Sequence, residues 1–370
     1  MISPLNTRGG GSVLLWELCK KLSDKGNQIS YIERIMPGDK RKSYPSTRYF
    51  FTVDRFRFLP INIFISLVFN MVKALYIKAD IVYVGKLLPN SCIPAIIKKA
   101  FGCKIVVMVD DLDYELYKDG VVKSVMRFCY KSFSKRFDML IFTSKKLMDH
   151  VYKDLSVSKN RLYLIPQGVD FNLFRDTCKD DRLRASLGIS EEKVILYLAS
   201  LGLGSDFELI VSAFKKIKMK NSQTKLLVIG GGNKLRHCKE LIEKEGLSNN
   251  VIIIGYVEHE KIARYLALCD LGINLMADTV VNNFRTPIKV NEYLAAGLPA
   301  VVNDIGDYSM VQDYIMIVKN AENFSEAALK AMESDSPELR SRRKEFIRNN
   351  LDWLSLVKEL NQVLKTMLIK

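Results

Sequence analysis

The stretch from Asn283 to Pro299 reads NFRTPIKVNEYLAAGLP and carries both the start and the stop signals of a helix. Thr286 is a favourable N-cap residue. Pro287 suits the first helical position, because an N–H at that position has no partner within the helix and proline has none to leave unpaired. Gly297 follows the last apolar residues, where a left-handed glycine commonly ends a helix. The sequence therefore predicts a helix of about three turns.

The charges at the start of this helix indicate a bound anion. Lys289 occupies the position where a capping box would place Glu or Gln, so a cation faces the positive end of the helix dipole. Lys289 lies four residues after Arg285, and Glu292 lies three residues after Lys289, so the three side chains share one face of the helix. This pattern favours a phosphate held by backbone N–H groups and both cations, with Glu292 accepting hydrogen bonds from sugar hydroxyls. A surface ion pair between Lys289 and Glu292, worth only ~0.3–0.5 kcal/mol, is the alternative interpretation.

Short β-branched runs alternate with amphipathic segments along the chain. The predicted strands are Gln28–Glu33, Ile81–Val84, Lys104–Val109, Met139–Thr143, Arg161–Ile165, Lys193–Ala199, Lys225–Ile229, Asn250–Ile254, Leu271–Leu275 and Ala300–Asn303. This alternation predicts an α/β protein with parallel sheets in two doubly wound domains. We expect a first domain at residues 1–174, a linker at 175–192, a second domain at 193–336 and terminal helices at 337–370 that pack back on the first domain.

Composition excludes several classes of protein. The 370 residues, 48% of them hydrophobic, suffice for two buried cores. Seven cysteines without a CxxC pair disfavour a disulfide framework or a zinc ribbon. Three histidines distant in sequence argue against a histidine metal site, and we expect His237 and His259 on the surface. The N-terminus lacks the apolar segment of a secretion signal, so we expect a cytoplasmic protein.

The positive charge is concentrated in the first half of the chain. Residues 1–174 hold 28 of the 56 lysines and arginines but only 15 of the 41 acidic residues, so +13 of the net +15 lies there. Cations between residues 40 and 57 alternate with aromatic residues and lead into the apolar stretch Phe58–Val72, which is too short to span a bilayer. We interpret this run as an anchor on the anionic inner face of the cell membrane, and Phe58–Val72 as either a core helix or an interfacial helix. Nucleic acid is not an expected partner, because no nucleic-acid-binding motif accompanies the run.

An acidic turn follows the predicted strand Lys104–Val109. Asp110, Asp111 and Asp113 lie at the carboxyl end of a parallel strand, where active-site residues gather. If they are buried together, they raise one another's pKa and can activate an acceptor hydroxyl. The alternative is a solvated turn.

Five motifs occur in an informative order. They are Gly10-Gly11-Ser12 before a helix, Ile165–Asp170 (IPQGVD) with Phe174, Val228–Gly232 (VIGGG), Asp270–Leu275 (DLGINL) with the helix from Pro287, and Asp352-Trp353. Together they resemble the retaining, family-4-type glycosyltransferases with the GT-B fold, over nearly the whole chain. The resemblance implies two Rossmann-like domains facing a cleft, with a C-terminal helix that crosses back to the first domain.

The resemblance also implies a reaction. A sugar would pass, with retention, from a nucleotide diphosphate sugar in the second domain to a lipid-linked or polysaccharide acceptor in the first. Glu292 would hydrogen-bond the ribose, while Lys289, Arg285 and Thr286 would face the diphosphate. Gly255, Tyr256 and Val257 would border the base. Gly10 and Gly11 would let backbone N–H groups approach the donor phosphates or the acceptor. No cofactor or metal is expected, because a helix N-terminus and cations can stabilise the leaving diphosphate.

Three positions depart from the family pattern. Phe284 stands where the family usually has a Glu, eight residues before Glu292, and Ser200 and Ser205 stand where it often has an Arg and a Lys. A nucleotide-sugar epimerase of the same fold and a non-catalytic partner subunit therefore remain alternatives to an active transferase.

Overall fold

The structure is a computed structural model, and it describes residues 1–6, 10–40, 42–56, 59–155, 157–175, 179–202, 206–319 and 321–369. The chain forms two compact units. The first comprises Met1–Pro166 and Leu354–Lys370, and the second comprises Gln167–Trp353.

A parallel sheet forms the centre of the first unit. Its strands are β1 (Ile2–Asn6), β2 (Ile29–Ile35), β3 (Thr47–Val53), β4 (Ile81–Val84), β5 (Lys104–Val109), β6 (Met139–Phe142) and β7 (Leu162–Leu164). They lie in the order β3-β2-β1-β4-β5-β6-β7. Strand β6 is continuously apolar, and so is β5 after Lys104, as expected for strands covered on both faces. The order reverses between β1 and β4, and ligands of such sheets bind beyond the carboxyl ends of the strands at that point.

Helices connect these strands. They are α1 (Gly10–Ser23), α2 (Leu59–Tyr76), α3 (Pro89–Lys99), α4 (Val121–Ser134) and α5 (Lys145–Leu155). Gly26, just past α1, has φ +84°, the left-handed conformation that glycine adopts at helix ends.

The second unit repeats the same topology. Its helices begin with α6 (Phe171–Phe174) and α7 (Asp181–Ser186), before a sheet of β8 (Lys193–Leu198), β9 (Thr224–Ile229), β10 (Val251–Gly255), β11 (Leu271–Asn274), β12 (Ala300–Asn303) and β13 (Met316–Val318). The strand order is β10-β9-β8-β11-β12-β13, with the reversal between β8 and β11. The connecting helices are α8 (Phe207–Lys220), α9 (Leu235–Lys244), α10 (His259–Leu266), α11 (Val280–Phe284), α12 (Ile288–Ala295), α13 (Phe324–Glu333) and α14 (Pro337–Asn350). The last helix, α15 (Trp353–Ile369), belongs to the first unit from Leu354 onward. The predicted α/β class with two Rossmann-like sheets is confirmed.

Two of the sequence motifs meet where the chain enters and leaves the second unit. Val169 N–H donates to Leu351 O at 2.8 Å, and Trp353 N–H donates to Val169 O at 3.0 Å. The Asp352 carboxylate accepts from the Phe171 N–H at 3.3 Å. The motifs IPQGVD and Asp352-Trp353 therefore have a shared structural role as the two sides of one connection.

The unit boundaries differ from those we expected. Residues 179–192 of the expected linker lie in the second unit, where Ile189 is buried in the core. Helix α14 also stays in the second unit, where Arg343 Nη1 donates to Gly297 O at 3.1 Å. Only the residues after Trp353 group with the first unit, and there the Asn27 amide donates to Asn361 Oδ1 at 2.9 Å.

Part of the basic and aromatic run is a strand that we did not predict. Residues Thr47–Val53 form β3, which pairs in register with β2 at the edge of the sheet. Lys42 Nζ lies 2.7 Å from the fully buried carboxylate of Glu33, and the Tyr49 hydroxyl donates to the same carboxylate. Lys42 therefore forms an ion pair with a buried carboxylate and is not a free surface cation. Arg41, Arg57 and Phe58 lie outside the described residues.

Helix α2 has inverted amphipathicity, which differs from the core helix that was one of the two interpretations of the apolar stretch. Its buried face carries the polar residues Asn62, Ser66 and Asn70, and the Asn70 amide donates to Asn90 O at 2.8 Å. Its outer face exposes large apolar side chains: Ile61, Phe64, Ile65, Val68, Val72, Leu75 and Tyr76.

Helix α4 also exposes an apolar stripe, formed by Val121, Val122, Val125 and Phe128. Among the residues that the structure describes, no helix combines the length and the apolar character that crossing a membrane requires.

Candidate functional site

Tyr293 fixes helix α12 against the strands at the switch point of the second sheet. Its ring lies over Gly272 of β11, where a Cβ would come within 2.2 Å of ring carbon Cδ2. Its hydroxyl donates to Ile273 O at 3.3 Å and accepts from the Leu198 N–H at 3.0 Å. Since α12 connects β11 to β12, its N-terminus lies at the carboxyl ends of the strands, where α/β sheets bind ligands.

The helix begins one position later than predicted. Pro287 occupies the N-cap position with extended backbone, Ile288 is the first helical residue and Thr286 precedes the cap. Thr286 is therefore not the N-cap residue that the sequence suggested, because a cap there would require residue 287 to be helical. The helix has eight residues, about two turns. Gly297 ends it with φ +82°, as predicted.

Lys289, in the first turn, lies in a desolvated and partly acidic environment. Its ammonium is 4.9 Å from the centre of the Tyr197 ring. Burial lowers the pKa of Lys289 to about 8, although Glu292 and Asp206 both favour the charged form. An anion that binds beside this ammonium would stabilise its charged form and so raise its pKa again.

Asp206 is a site residue that the sequence analysis missed. It precedes α8, its carboxylate accepts from the Ala277 backbone N–H, and it interacts electrostatically with Lys289 and Arg285. Burial nevertheless raises the pKa of Asp206. Asp206 follows the predicted strand Lys193–Ala199, and this position beyond the carboxyl end of a strand was the signal that could have identified it.

Arg285 is held by the short helix α11 and by a neighbouring loop. Its Nη1 donates to Asn282 Oδ1 at 3.1 Å, and its carbonyl accepts from the Asp307 N–H at 2.7 Å. Asn282 is held in turn by the Thr279 hydroxyl, which accepts from the Asn282 N–H at 3.1 Å. The structure thus brings two cations and the first turn of α12 to one place, an arrangement that can bind a diphosphate.

Glu292 is buried and has a histidine partner. Its Oε1 lies 2.7 Å from Nε2 of His259, the first residue of α10. The imidazole is half-exposed and lies edge-on to the Phe174 ring, with centroids 6.2 Å apart. The expectation that His259 and His237 lie on the surface is confirmed, since both are exposed. The sequence did not indicate that His259 pairs with a buried carboxylate, whereas His237 lies beside the exposed Glu208.

Gly255 ends β10, and Tyr256 and Val257 follow it, next to the glycine triplet that follows β9. Gly255 has φ +86° and its carbonyl accepts from the Gly230 N–H at 2.8 Å. Tyr256 is 81% exposed, whereas Val257 packs against the core.

The glycine triplet after β9 allows a close backbone approach. A Cβ on Gly230 would lie 1.7 Å from Ala199 O, and one on Gly232 would lie 2.2 Å from Leu201 O. The triplet thus packs against the loop after β8, which contains Ser200. Ser205 lies outside the described residues.

In the first unit, the three aspartates surround a lysine that the sequence analysis did not consider. Lys86 follows β4 at the switch point, and its buried ammonium lies 2.8 Å from Asp110, 3.5 Å from Asp111 and 2.9 Å from Asp113. The acidic turn is therefore not a solvated one. Gly10 and Gly11, which were expected in a loop, are the first residues of α1.

Burial and mutual repulsion set the protonation of this cluster. Burial raises the pKa of Asp113 to about 6, and it also raises the pKa of Asp110, while Lys86 opposes both shifts. Burial disfavours the charged ammonium, but the surrounding carboxylates outweigh it and raise the pKa of Lys86. One ligand atom from each carboxylate lies within 4.8 Å of the others, a spacing compatible with a cation, and the Lys86 ammonium supplies positive charge there. Such a cluster can accept a proton from a nearby hydroxyl.

Comparison with known families covers nearly the whole chain. The family described as Glycosyltransferase Family 4 matches residues 8–173, and the family described as Glycosyl transferases group 1 matches residues 179–351.

Individual relatives agree with these matches. The chain is 24% identical over 310 residues to N-acetyl-alpha-D-glucosaminyl L-malate synthase of Bacillus anthracis, covering 80% of this chain and 76% of that protein. It shares the fold of a sucrose-phosphate synthase from Thermosynechococcus elongatus, with a TM-score of 0.76, 17% identity and coverage of 99% and 98% of the two chains. It also shares the fold of Anabaena HepE, solved with UDP-glucose, with a TM-score of 0.74, 15% identity and 99% coverage of both chains. The paired sheets and the two family matches together show that this chain belongs to the GT-B glycosyltransferases of the group-1, family-4 type.

Proposed function

We propose that this glycosyltransferase uses a nucleotide diphosphate sugar and transfers the sugar with retention to a lipid-linked or glycan acceptor. The observation that carries the proposal is the first turn of α12, where Lys289 and Arg285 lie together at a helix N-terminus with the buried Glu292 one turn on. A diphosphate would accept from the N–H groups and both cations, and Glu292 would receive ribose hydroxyls. Thr286 would lie beside the diphosphate, and Tyr256, between Gly255 and Val257, would border the base.

The first unit would bind the acceptor. The cluster of Lys86 with Asp110, Asp111 and Asp113 lies at the switch point of its sheet, where an acceptor hydroxyl would meet a carboxylate. Gly10 and Gly11 at the start of α1 would allow close approach to the backbone. We infer that no metal is required, because Lys289, Arg285 and the helix N-terminus would stabilise the leaving diphosphate.

The acceptor is proposed to be at a membrane because the first unit presents apolar and basic surface together. The outer faces of α2 and α4 expose Phe64, Val68 and Phe128, among others. The residues up to 174 carry a net charge of +13, which attracts anionic lipid headgroups. The proposed location is the inner face of the cell membrane.

A transfer assay tests the proposed reaction. The purified protein is incubated with UDP-, GDP- and ADP-sugars and with lipid-linked and soluble glycan acceptors, with and without EDTA. We expect a glycoside that keeps the donor's anomeric configuration, formed equally well with the chelator present.

Other outcomes point to the alternatives. An isomerised free nucleotide sugar, with no glycoside, would identify an epimerase. Nucleotide binding without either product would identify a non-catalytic subunit, consistent with Phe284 and Ser200 at positions where the family has charged residues. Activity that EDTA abolishes would contradict metal independence.

A further inference from the structure

We propose that His259 is a positioning residue for nucleotide recognition, which holds the Glu292 carboxylate in the orientation that receives the ribose hydroxyls. The inference rests on the proposed function, because it takes the nucleotide to bind at the start of α12.

The geometry of the pair restricts the carboxylate. Nε2 of His259 lies 2.7 Å from Oε1 of Glu292, the length of a strong hydrogen bond to a charged acceptor. The Glu292 side chain is 8% exposed, so its carboxylate needs partners to offset the cost of desolvation. Among the described residues, Oε2 has no hydrogen-bond partner. The carboxylate therefore has one oxygen bound to His259 and the other available to a hydroxyl.

The imidazole is itself held in place. His259 begins α10, and its ring packs edge-on against Phe174, which is fully buried in α6. Helix α6 in turn contacts both α10 and α12. The buried Phe174 ring therefore restrains the His259 imidazole, and the imidazole restrains the Glu292 carboxylate, as expected when a binding side chain is supported by a second layer of contacts.

The chain offers a matched comparison. His237 also lies beside a glutamate, Glu208, but at 3.3 Å and with both side chains more than half exposed. An exposed pair of this kind contributes little and leaves both side chains free to rotate. The difference between the two pairs is burial of the carboxylate, which makes the His259 contact a restraint.

The test compares ribose recognition in variants. Binding of UDP and of 2′,3′-dideoxy-UDP is measured by calorimetry. GDP and ADP are each compared with their dideoxy analogues in the same way, because the base that the protein prefers is not known in advance. His259→Phe keeps a ring against Phe174 but removes the N–H donor, and we expect it to weaken UDP binding about tenfold while leaving dideoxy-UDP binding unchanged. His259→Gln restores a donor and should recover most of the loss. His237→Phe should bind both nucleotides as the wild type does.

Glu292→Gln separates the two hypotheses. If this variant keeps the wild-type preference for ribose, Glu292 does not bind the ribose and the proposed placement of the donor fails. If Glu292→Gln loses the preference but His259→Phe keeps it, only the role of His259 is overturned. Equal loss of UDP and dideoxy-UDP binding in His259→Phe, with a lowered melting temperature, would show that the contact is purely structural and would also overturn the proposal.

Discussion

At the scale of single residues, Lys289 lies in an environment that disfavours its charged form. Its ammonium opposes the helix dipole and is partly desolvated. We expect Lys289→Ala to weaken nucleoside diphosphate binding by about ten- to a hundredfold, the cost of a charge-assisted hydrogen bond. The same variant without ligand should melt at the wild-type temperature or slightly above it. A lower melting temperature with intact affinity would instead make Lys289 a structural partner of Glu292.

The pKa of Lys289 adds a pH dependence with a defined sign. Because its pKa is lowered to about 8, the ammonium loses its proton as the pH rises through that value, and nucleoside diphosphate affinity should fall. Between about pH 8 and the usual lysine pKa of ~10.4, the unfolded chain holds more protons than the folded one, so this group makes the folded state relatively more stable as pH rises. Calorimetry and thermal melting at about pH 7 and about pH 9 test both trends. Lys289→Ala should show neither.

The aspartate cluster predicts the opposite trend at acid pH. Burial raises the pKa of Asp113 to about 6, so its favourable contribution is complete below the unfolded value of ~3.9 and is lost as the pH rises through about 6. We expect Asp113→Asn to reduce this dependence in thermal melts between about pH 4 and about pH 7.

We also expect at least one Asn variant of Asp110, Asp111 or Asp113 to lose turnover while keeping donor affinity. Normal turnover in all three would reduce the cluster to a structural one.

At the scale of elements, the placement of α12 depends on the absence of a side chain at position 272. Gly272→Ala would put a Cβ 2.2 Å from the Tyr293 ring, so the helix must shift. Overpacking of this kind costs about 1–3 kcal/mol, and each kcal/mol lowers the melting temperature of a unit this size by roughly 2–4 °C. Nucleotide affinity should fall as well, because the start of α12 moves. Gly202→Ala is the control for stability, since its Cβ would have no neighbour closer than 3.7 Å. Equal melting of the two variants would contradict this account.

At the scale of the whole molecule, the distribution of charge and exposed apolar surface predicts membrane binding. We expect the protein to sediment with anionic liposomes and to come off at high salt, since each surface cation contributes roughly 1 kcal/mol. Replacing Phe64 and Val68 of α2 with serine should weaken this binding severalfold by removing apolar area. Met219→Ser, at an exposed site in the second unit, should not. Equal binding to zwitterionic and anionic vesicles would refute the electrostatic part.

The choice of cations for this test follows from the structure. Lys42 must be spared, because it neutralises the buried carboxylate of Glu33, and breaking a buried pair of this kind costs about 3–5 kcal/mol. Lys40, Arg55 and Lys78 are exposed and are the appropriate residues to neutralise.

The sequence alone determined the class of fold and the charge pattern at the start of α12. Alternation of strands and helices is a local pattern, and Gly297 and Lys289 are positioned by helical periodicity, so both can be identified without tertiary information. Strand β3 escaped prediction because its arginine and its aromatic residues suit a surface anchor as well as a half-buried edge strand. Thr286 was misplaced by one position because N-cap preference does not fix where the backbone becomes helical.

Only the tertiary structure decided which distant side chains meet. Lys86 joins the aspartates because β4 and β5 are neighbours in the sheet, and His259 reaches Glu292 because α10 and α12 both contact α6. The inverted amphipathicity of α2 likewise emerged only when its neighbours were known, since a mostly apolar helix does not reveal from its sequence which face is buried. These contacts join residues 24 to 33 positions apart, and no local preference encodes such a separation. Strand order and packing alone bring these residues together.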